Sequence, residues 1–268
     1  MGTETPAQLW RSAVAADPAR PFVTAYDGDT DGRVELSYAT VDNWVSKTAN
    51  MLVDGLGAEP GDRVALALPV HWQSLAWALA CWSTRTTVVL PEADEVPEAD
   101  IAVTDASRIE AGLDSGAREV VGTSLHPLGA PLADCPPAAL DYTVEVRGYA
   151  DQFVPPAADD PAAAALESAG SHTGGGIAAA ARDRAASWEL TPADRVAIIT
   201  PASAPLQTLG HDLSPALCPV VTGSSLLLTP ETDSPTTLQS RLDMERVTAI
   251  AGARPGSPAL TGNIRPLP

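Results

Sequence analysis

Lysine is almost missing from this chain of 268 residues. Of its sixteen basic side chains, fifteen are arginines and one, Lys47, is an ammonium. A Gly-Lys phosphate loop is therefore excluded. Any chemistry built on a lysine, whether a Schiff base or a phosphate clamp, must use Lys47 or do without. Cysteine is scarce too: Cys81, Cys135 and Cys218 form no CxxC spacing. The four histidines, His71, His126, His172 and His211, form no HxH or HxxxH pair, so no closely spaced structural zinc site is expected. Basic residues are outnumbered by thirty-four acidic ones, for a net charge of −18. That balance argues against nucleic acid and against anionic membrane surfaces as partners. Long apolar runs are also lacking. The charge-free stretch 213–230 is short and broken by three prolines and a glycine, so it is not expected to span a bilayer. The N-terminus has no basic start followed by an apolar run, which predicts no secretion signal, reduced thiols and a cytoplasmic location.

What is present suffices for a real core. Forty-five per cent of the residues are hydrophobic, and the length suits one large domain or two small ones. Thr5-Pro6 starts a helix with Leu9, Ala13 and Ala16 inward, ended by Pro18 and Pro21. A turn at 27–32 leads to a strand at 34–36. Ser37 then caps a long helix with Val41, Val45, Thr48 and Leu52 on one face and Trp44 beside them, stopped by Gly55 and Gly57. Lys47 falls between those apolar positions and reads as a solvated surface lysine. A buried strand follows at 63–68, then an all-round apolar helix at 74–83 that places Cys81 in the core, then a strand at 86–90. Weaker strands at 101–103 and 119–121 flank a helix at 107–113. The tryptophans sit mostly in helices and read as core aromatics. Strands alternating with helices predict an α/β fold with largely parallel sheets.

Residues 124–161 form a proline-rich connection, with an edge strand expected at 142–147 and Asp159-Asp160 solvated. The connection splits the chain into an α/β half at 1–150 and another at 151–268, expected to form one compact domain. Residues 161–165 and 178–186 are alanine-rich, and the second stretch reads as a helix. A repeat then emerges. PGDRVALALP at 60–69 matches PADRVAIITP at 192–201 at a constant offset of 132, and VVLPEAD at 88–94 is echoed by LLTPETD at 227–233 at an offset of 139. Two related strand–helix–strand halves follow from this, the second with about seven extra residues between its strands. A helix at 238–247, a strand at 248–251 and a loose tail from 254 complete the reading.

The stretch 35–91 carries a resemblance. Leu36-Ser37-Tyr38, Gly61-Asp62-Arg63-Val64-Ala65, Pro69, and Val88-Val89-Leu90-Pro91 occur in the order and spacing of the N-terminal part of adenylate-forming enzymes: acyl-CoA synthetases, peptide-synthetase adenylation domains and luciferases. The resemblance is weaker after Pro91 and implies the fold of that N-terminal domain. It also implies what the chemistry requires: a Ser/Thr/Gly loop ending Pro-Lys-Gly for the ATP phosphates, an aromatic-Gly-x-Thr-Glu motif for adenosine and magnesium, a Thr-Gly-Asp motif for ribose, and a lysine from a mobile C-terminal domain. One segment falls where the phosphate loop belongs, with Ser168, Gly170, Ser171, Thr173, Gly174, Gly175 and Gly176 as candidate cofactor-binding residues for ATP or AMP. It lacks the Pro and the Lys and adds His172. Arg182 and Arg184 follow it and read as exposed helix arginines. The other motifs are not in the sequence, and no metal-binding or catalytic residue is assigned. Ser203, His211 and Asp212 carry the letters of a nucleophilic triad but lack its Gly-x-Ser-x-Gly elbow.

Scaffold motifs without catalytic ones predict a truncated, catalytically inactive relative of these enzymes, with a vestigial nucleotide or acyl pocket. Two alternatives stand beside it. One is an ATP- or AMP-binding subunit completed by a partner chain. The other is an interaction protein whose uncovered apolar surface meets a partner or a second copy of itself.

Overall fold

The computed structural model describes all residues except 1–2, 28–31, 93–94, 128, 156, 233 and 252–263. The middle of the expected turn, 28–31, and most of the expected tail therefore lie outside the described residues, as do parts of the 88–94 and 227–233 repeat; the ends of the turn are joined by the Asp27 N–H donating to Gly32 O at 2.8 Å.

The chain opens with helix α1 (Pro6–Ala16). Thr5 and Gln8 cap it reciprocally, each side chain bonding the other's backbone N–H. Strand β1 (Pro21–Tyr26) follows. Pro21, expected only as a helix stop, is the first residue of this strand, where a proline is tolerated, and FVTA behind it is buried. Strand β2 (Arg33–Ser37) completes a hairpin, and Ser37 caps helix α2 (Tyr38–Asn50), which runs on as a π-helical turn to Gly55. Next come β3 (Arg63–Ala67), α3 (Trp72–Thr84), β4 (Thr87–Val89), β5 (Ile101–Asp105), α4 (Ile109–Asp114) and β6 (Glu119–Thr123). Each matches an expected element. All thirteen residues of α3 are buried. Within it, burial pushes the Cys81 thiol up to about 12, which makes it an inert core group.

The connection is more ordered than expected. The two-residue strand β7 (Leu140–Asp141) leads into helix α5 (Tyr142–Glu145), where an edge strand was expected. The reason is local. Asp141 Oδ1 accepts the N–H of Thr143 at 2.9 Å and of Val144 at 3.3 Å, and the resulting turn puts Tyr142 and Val146 on one fully buried face. Asp159 is not simply solvated, since Arg11 bonds it. The rest comprises β8 (Ala164–Glu167), β9 (Ser171–Thr173), α6 (Gly174–Ser187), β10 (Arg195–Thr200), α7 (Ser214–Thr222), β11 (Ser225–Pro230), α8 (Pro235–Met244), β12 (Ala249–Ala251) and β13 (Arg265–Pro266). Strand β13 pairs with β12, so this part of the tail belongs to a sheet.

Two sheets result, in the orders β13-β12-β10-β11-β1-β2 and β7-β6-β5-β3-β4-β8-β9. Every pairing is parallel except the hairpin partners β1–β2 and β8–β9. The repeat is real in three dimensions. Arg63 pairs with Thr87 and Arg195 with Ser225, and both β3 and β10 lie at the centre of the same strand order. The turn before each unit closes alike: Thr87 N–H donates to Asp62 O, and Ser225 N–H to Asp194 O. The registers span 24 residues (63 to 87) and 30 residues (195 to 225), so the second copy carries six extra residues rather than seven. The sheets also exchange hairpins. The early β1–β2 hairpin joins β11 of the later half, and the later β8–β9 hairpin joins β4 of the earlier half. Each sheet is thus built from both halves of the chain.

One large hydrophobic core cluster draws residues from both sheets and from α1, α2, α3, α6 and α7. Within it α3 packs on β3 and β4, and Phe22 of β1 and Leu217 of α7 line a small cavity beside it. Trp10, Trp72, Trp77, Trp82 and Trp188 are buried and Trp44 is half-buried, as core aromatics should be. No described helix is long and apolar enough to cross a membrane. Among the described residues, no group of three or more His, Cys, Asp or Glu could hold a metal ion.

Candidate functional site

The segment 168–176 is not a continuous loop. Ser168, Ala169 and Gly170 make the tight turn of the β8–β9 hairpin, with Ala169 at φ +48° and Gly170 at φ +149°. The second value lies in a region that favours glycine. Ser171 and Thr173 belong to β9, and Gly174, Gly175 and Gly176 are the first turn of α6. Glycine is a poor helix former, which made this stretch look like a loop. The cap at Thr173 starts the helix there instead, four residues earlier than the alanine run suggested.

A phosphate cradle needs free backbone N–H groups pointing at the anion. Here the donors of Ser168 and of Gly174–Gly176 are engaged within the fold. Ser168 N–H bonds Gly170 O at 2.9 Å, Gly174 N–H bonds Ala163 O at 3.1 Å, and Gly175 N–H bonds Pro161 O at 2.8 Å. Gly176 N–H bonds Thr173 Oγ1 at 3.1 Å. Gly174 and Gly175 are also buried.

The cations are engaged in the same way. Arg182 pairs with Glu4. Arg184 donates from Nε to Ser214 Oγ at 2.6 Å, and its guanidinium lies 5.5 Å from the Trp188 ring centre. Both are half-buried and partnered, so neither is the exposed helix arginine that was expected. Lys47 corrects its reading likewise: it is half-buried, and its Nζ donates to the Tyr149 carbonyl at 2.6 Å. It ties α2 to the chain beyond α5.

Two histidines converge on the hairpin turn, a convergence that has no local signal in the sequence. Ser168 Oγ lies 3.1 Å from His211 Nδ1, and His172 Nε2 lies 3.3 Å from the Ser168 carbonyl. His211 therefore meets Ser168 and not Ser203, which sits exposed in the turn after β10. Asp212 turns away to accept the Ser214 N–H at 2.9 Å. Burial alone would raise its carboxyl. The Ser214 bonds, with the charges of Arg184 and His172, hold it below the usual carboxylate range. The letters of the triad are thus not assembled into one. The arrangement fastens the hairpin to the turn before α7 through short polar contacts.

Comparison with known proteins bears on the family and the fold. The family described as AMP-binding enzyme matches residues 10–163, ending one residue before β8. A protein of Mycobacterium tuberculosis, called TIGR03089 family protein, is 35% identical over 243 residues, covering 88% of this chain and 93% of its own length. An acyl-CoA synthetase from Brucella canis superposes with a TM-score of 0.71 at 16% identity, over 93% of this chain and 47% of that structure. A long-chain-fatty-acid-CoA ligase from Archaeoglobus fulgidus gives 0.73 at 13% identity, over 94% of this chain and 52% of its own. The chain thus spans about half the length of these solved structures. It has the α/β fold of their N-terminal portion.

Proposed function

The chain belongs to the AMP-binding enzyme family, and from that premise we propose that it keeps the family scaffold without the capacity to adenylate an acid. One observation carries this reading: the backbone donors of Ser168 and Gly174–Gly176 are bonded within the fold, where a triphosphate would need them. Adenylyl transfer builds negative charge on phosphate oxygens, and positioned cations and N–H groups supply most of the stabilisation. Lys47, Arg182 and Arg184 each hold another partner. Freeing them for ATP would break contacts that fasten α2, α6 and α7. The net charge of −18 adds a long-range repulsion for ATP.

Binding is checked by thermal unfolding with magnesium and ATP. A ligand at a hundredfold excess over its Kd would add about 2.7 kcal/mol of stability. The expected result is no rise in Tm at millimolar nucleotide. A clear rise, lost on widening the turn at Gly170, would contradict the reading.

A further inference from the structure

A second site lies away from the hairpin turn, at the C-terminal ends of β1, β3, β10 and β11. A crevice of about 450 Å³ opens there between the two sheets. The segments leaving β3 and β10 pair across it in antiparallel fashion. Val70 N–H donates to Ala204 O at 2.8 Å and Leu206 N–H to Leu68 O at 3.0 Å, around a Pro69–Pro205 bridge. Open parallel sheets present ligand crevices at this end, and the volume suits a small molecule. Five lining residues are prolines, with φ fixed by the ring, so the walls are largely preformed and little ordering is needed on binding.

The electrostatics narrow the ligand. The described lining residues include no Lys or Arg, and Asp27 is their one carboxylate. An anion entering here would lose its hydration and meet like charge. A cation fares little better, because the Arg241 guanidinium lies 4.2 Å from the ring centre of Tyr26, a lining residue. Its Nη1 donates to lining Thr229 Oγ1 at 2.6 Å. Tyr26 in turn donates its hydroxyl to Glu245 at 2.7 Å, so the polar wall is fixed from behind. His71 supplies the wall's neutral donor. Its Nδ1 accepts the Gln73 N–H at 3.2 Å, capping α3, which places the ring proton on Nε2. Burial also pulls this imidazole down to about 4, partly offset by the Asp27 charge, so it is neutral at pH 7.

We propose that the crevice between the sheets binds an uncharged small molecule carrying a carbonyl-type acceptor, with the His71 Nε2–H as its donor and the proline walls around its apolar body. This goes beyond the loss of adenylation and does not depend on it, because the probes carry no phosphate.

The test uses saturation-transfer NMR on the whole chain at pH 7 with a matched series: benzamide, benzoate and benzylammonium. Benzamide is expected to bind, with both charged analogues on the order of tenfold weaker. Ala202→Trp, at an exposed lining position, is expected to abolish the signal with Tm unchanged. His71→Asn keeps a capping side chain and removes the imidazole, and should weaken benzamide alone. Equal binding of benzoate, no binding of any probe, or full binding by Ala202→Trp would overturn the proposal.

Discussion

Trp77→Ala is expected to destabilise the protein by about 4 kcal/mol. Trp77 is fully buried in α3, its ring 4.9 Å from that of Tyr142 at an interplanar angle of 45°. Tyr142 is itself fully buried and bonds Thr48 Oγ1 at 2.7 Å, so the indole supports the contact between α2, α3 and α5. Removing it leaves a cavity walled by well-packed groups, where collapse is limited. Trp77→Phe should cost less than half as much. The indole Nε1 has no hydrogen-bond partner among the described residues, so the smaller ring also removes a buried unsatisfied donor. Denaturant unfolding of both variants measures the difference. A loss below about 1.5 kcal/mol for Trp77→Ala would show that α3 is not packed as described.

Glu245→Ala should cost about 3 kcal/mol near neutral pH. This carboxylate is buried at the end of α8. Its Oε1 accepts from Tyr26 and from Arg33 Nε at 2.6 Å, and its Oε2 from Arg195 Nη2 at 2.8 Å. It thereby pins the β1–β2 hairpin onto the sheet of the later half, at the exchanged junction. Arg33 is about two-fifths exposed and can rehydrate, whereas Arg195 is only 17% exposed and would be left short of a partner. That asymmetry puts the cost at the low end for a broken buried pair.

The pH dependence has a definite sign. Burial alone would raise the Glu245 carboxyl, but the bonds from Arg33 and Tyr26 and the Arg195 charge hold it below its ordinary value. A carboxyl depressed on folding contributes stability above its unfolded value, about 4.3, and loses it as pH falls through the folded value. The gap between the parent chain and Glu245→Gln should therefore be largest at neutral pH and narrow in acid. Urea midpoints at several pH values check this, and a gap that widens on acidification would contradict it.

Much of the fold was legible because local signals agreed. Ser37 before an apolar stripe, the RVALA run and the all-apolar 74–83 stretch each specify one element whatever their surroundings. The repeat also announced the second β–α–β unit. The sequence alignment misplaced its second strand by one residue because it followed Pro91 and Pro230, whereas the register follows the ladder through Thr87 and Ser225.

Other features had no local signature. The hairpin exchange is a choice between two chemically similar sheet edges, β4 and β11, and nothing within 21–37 or 164–173 states which is taken. The glycines at 174–176 read as a loop because propensity is weak against a cap and two long-range carbonyl acceptors. Lys47 read as solvent-facing because its partner, the Tyr149 carbonyl, lies about a hundred residues away in an irregular segment. The approach of His211 to Ser168 likewise depends on tertiary placement alone. The crevice was invisible because its lining comes from strand ends in both halves.

Exchange of labelled pyrophosphate into ATP by the purified chain, with magnesium and a panel of carboxylic acids, tests whether adenylation is lost. The engaged donors of Ser168 and of Gly174–Gly176 predict no exchange above the protein-free control for any acid. Robust exchange that depends on one of those acids would show that the chain adenylates it and that these donors are not the limiting feature.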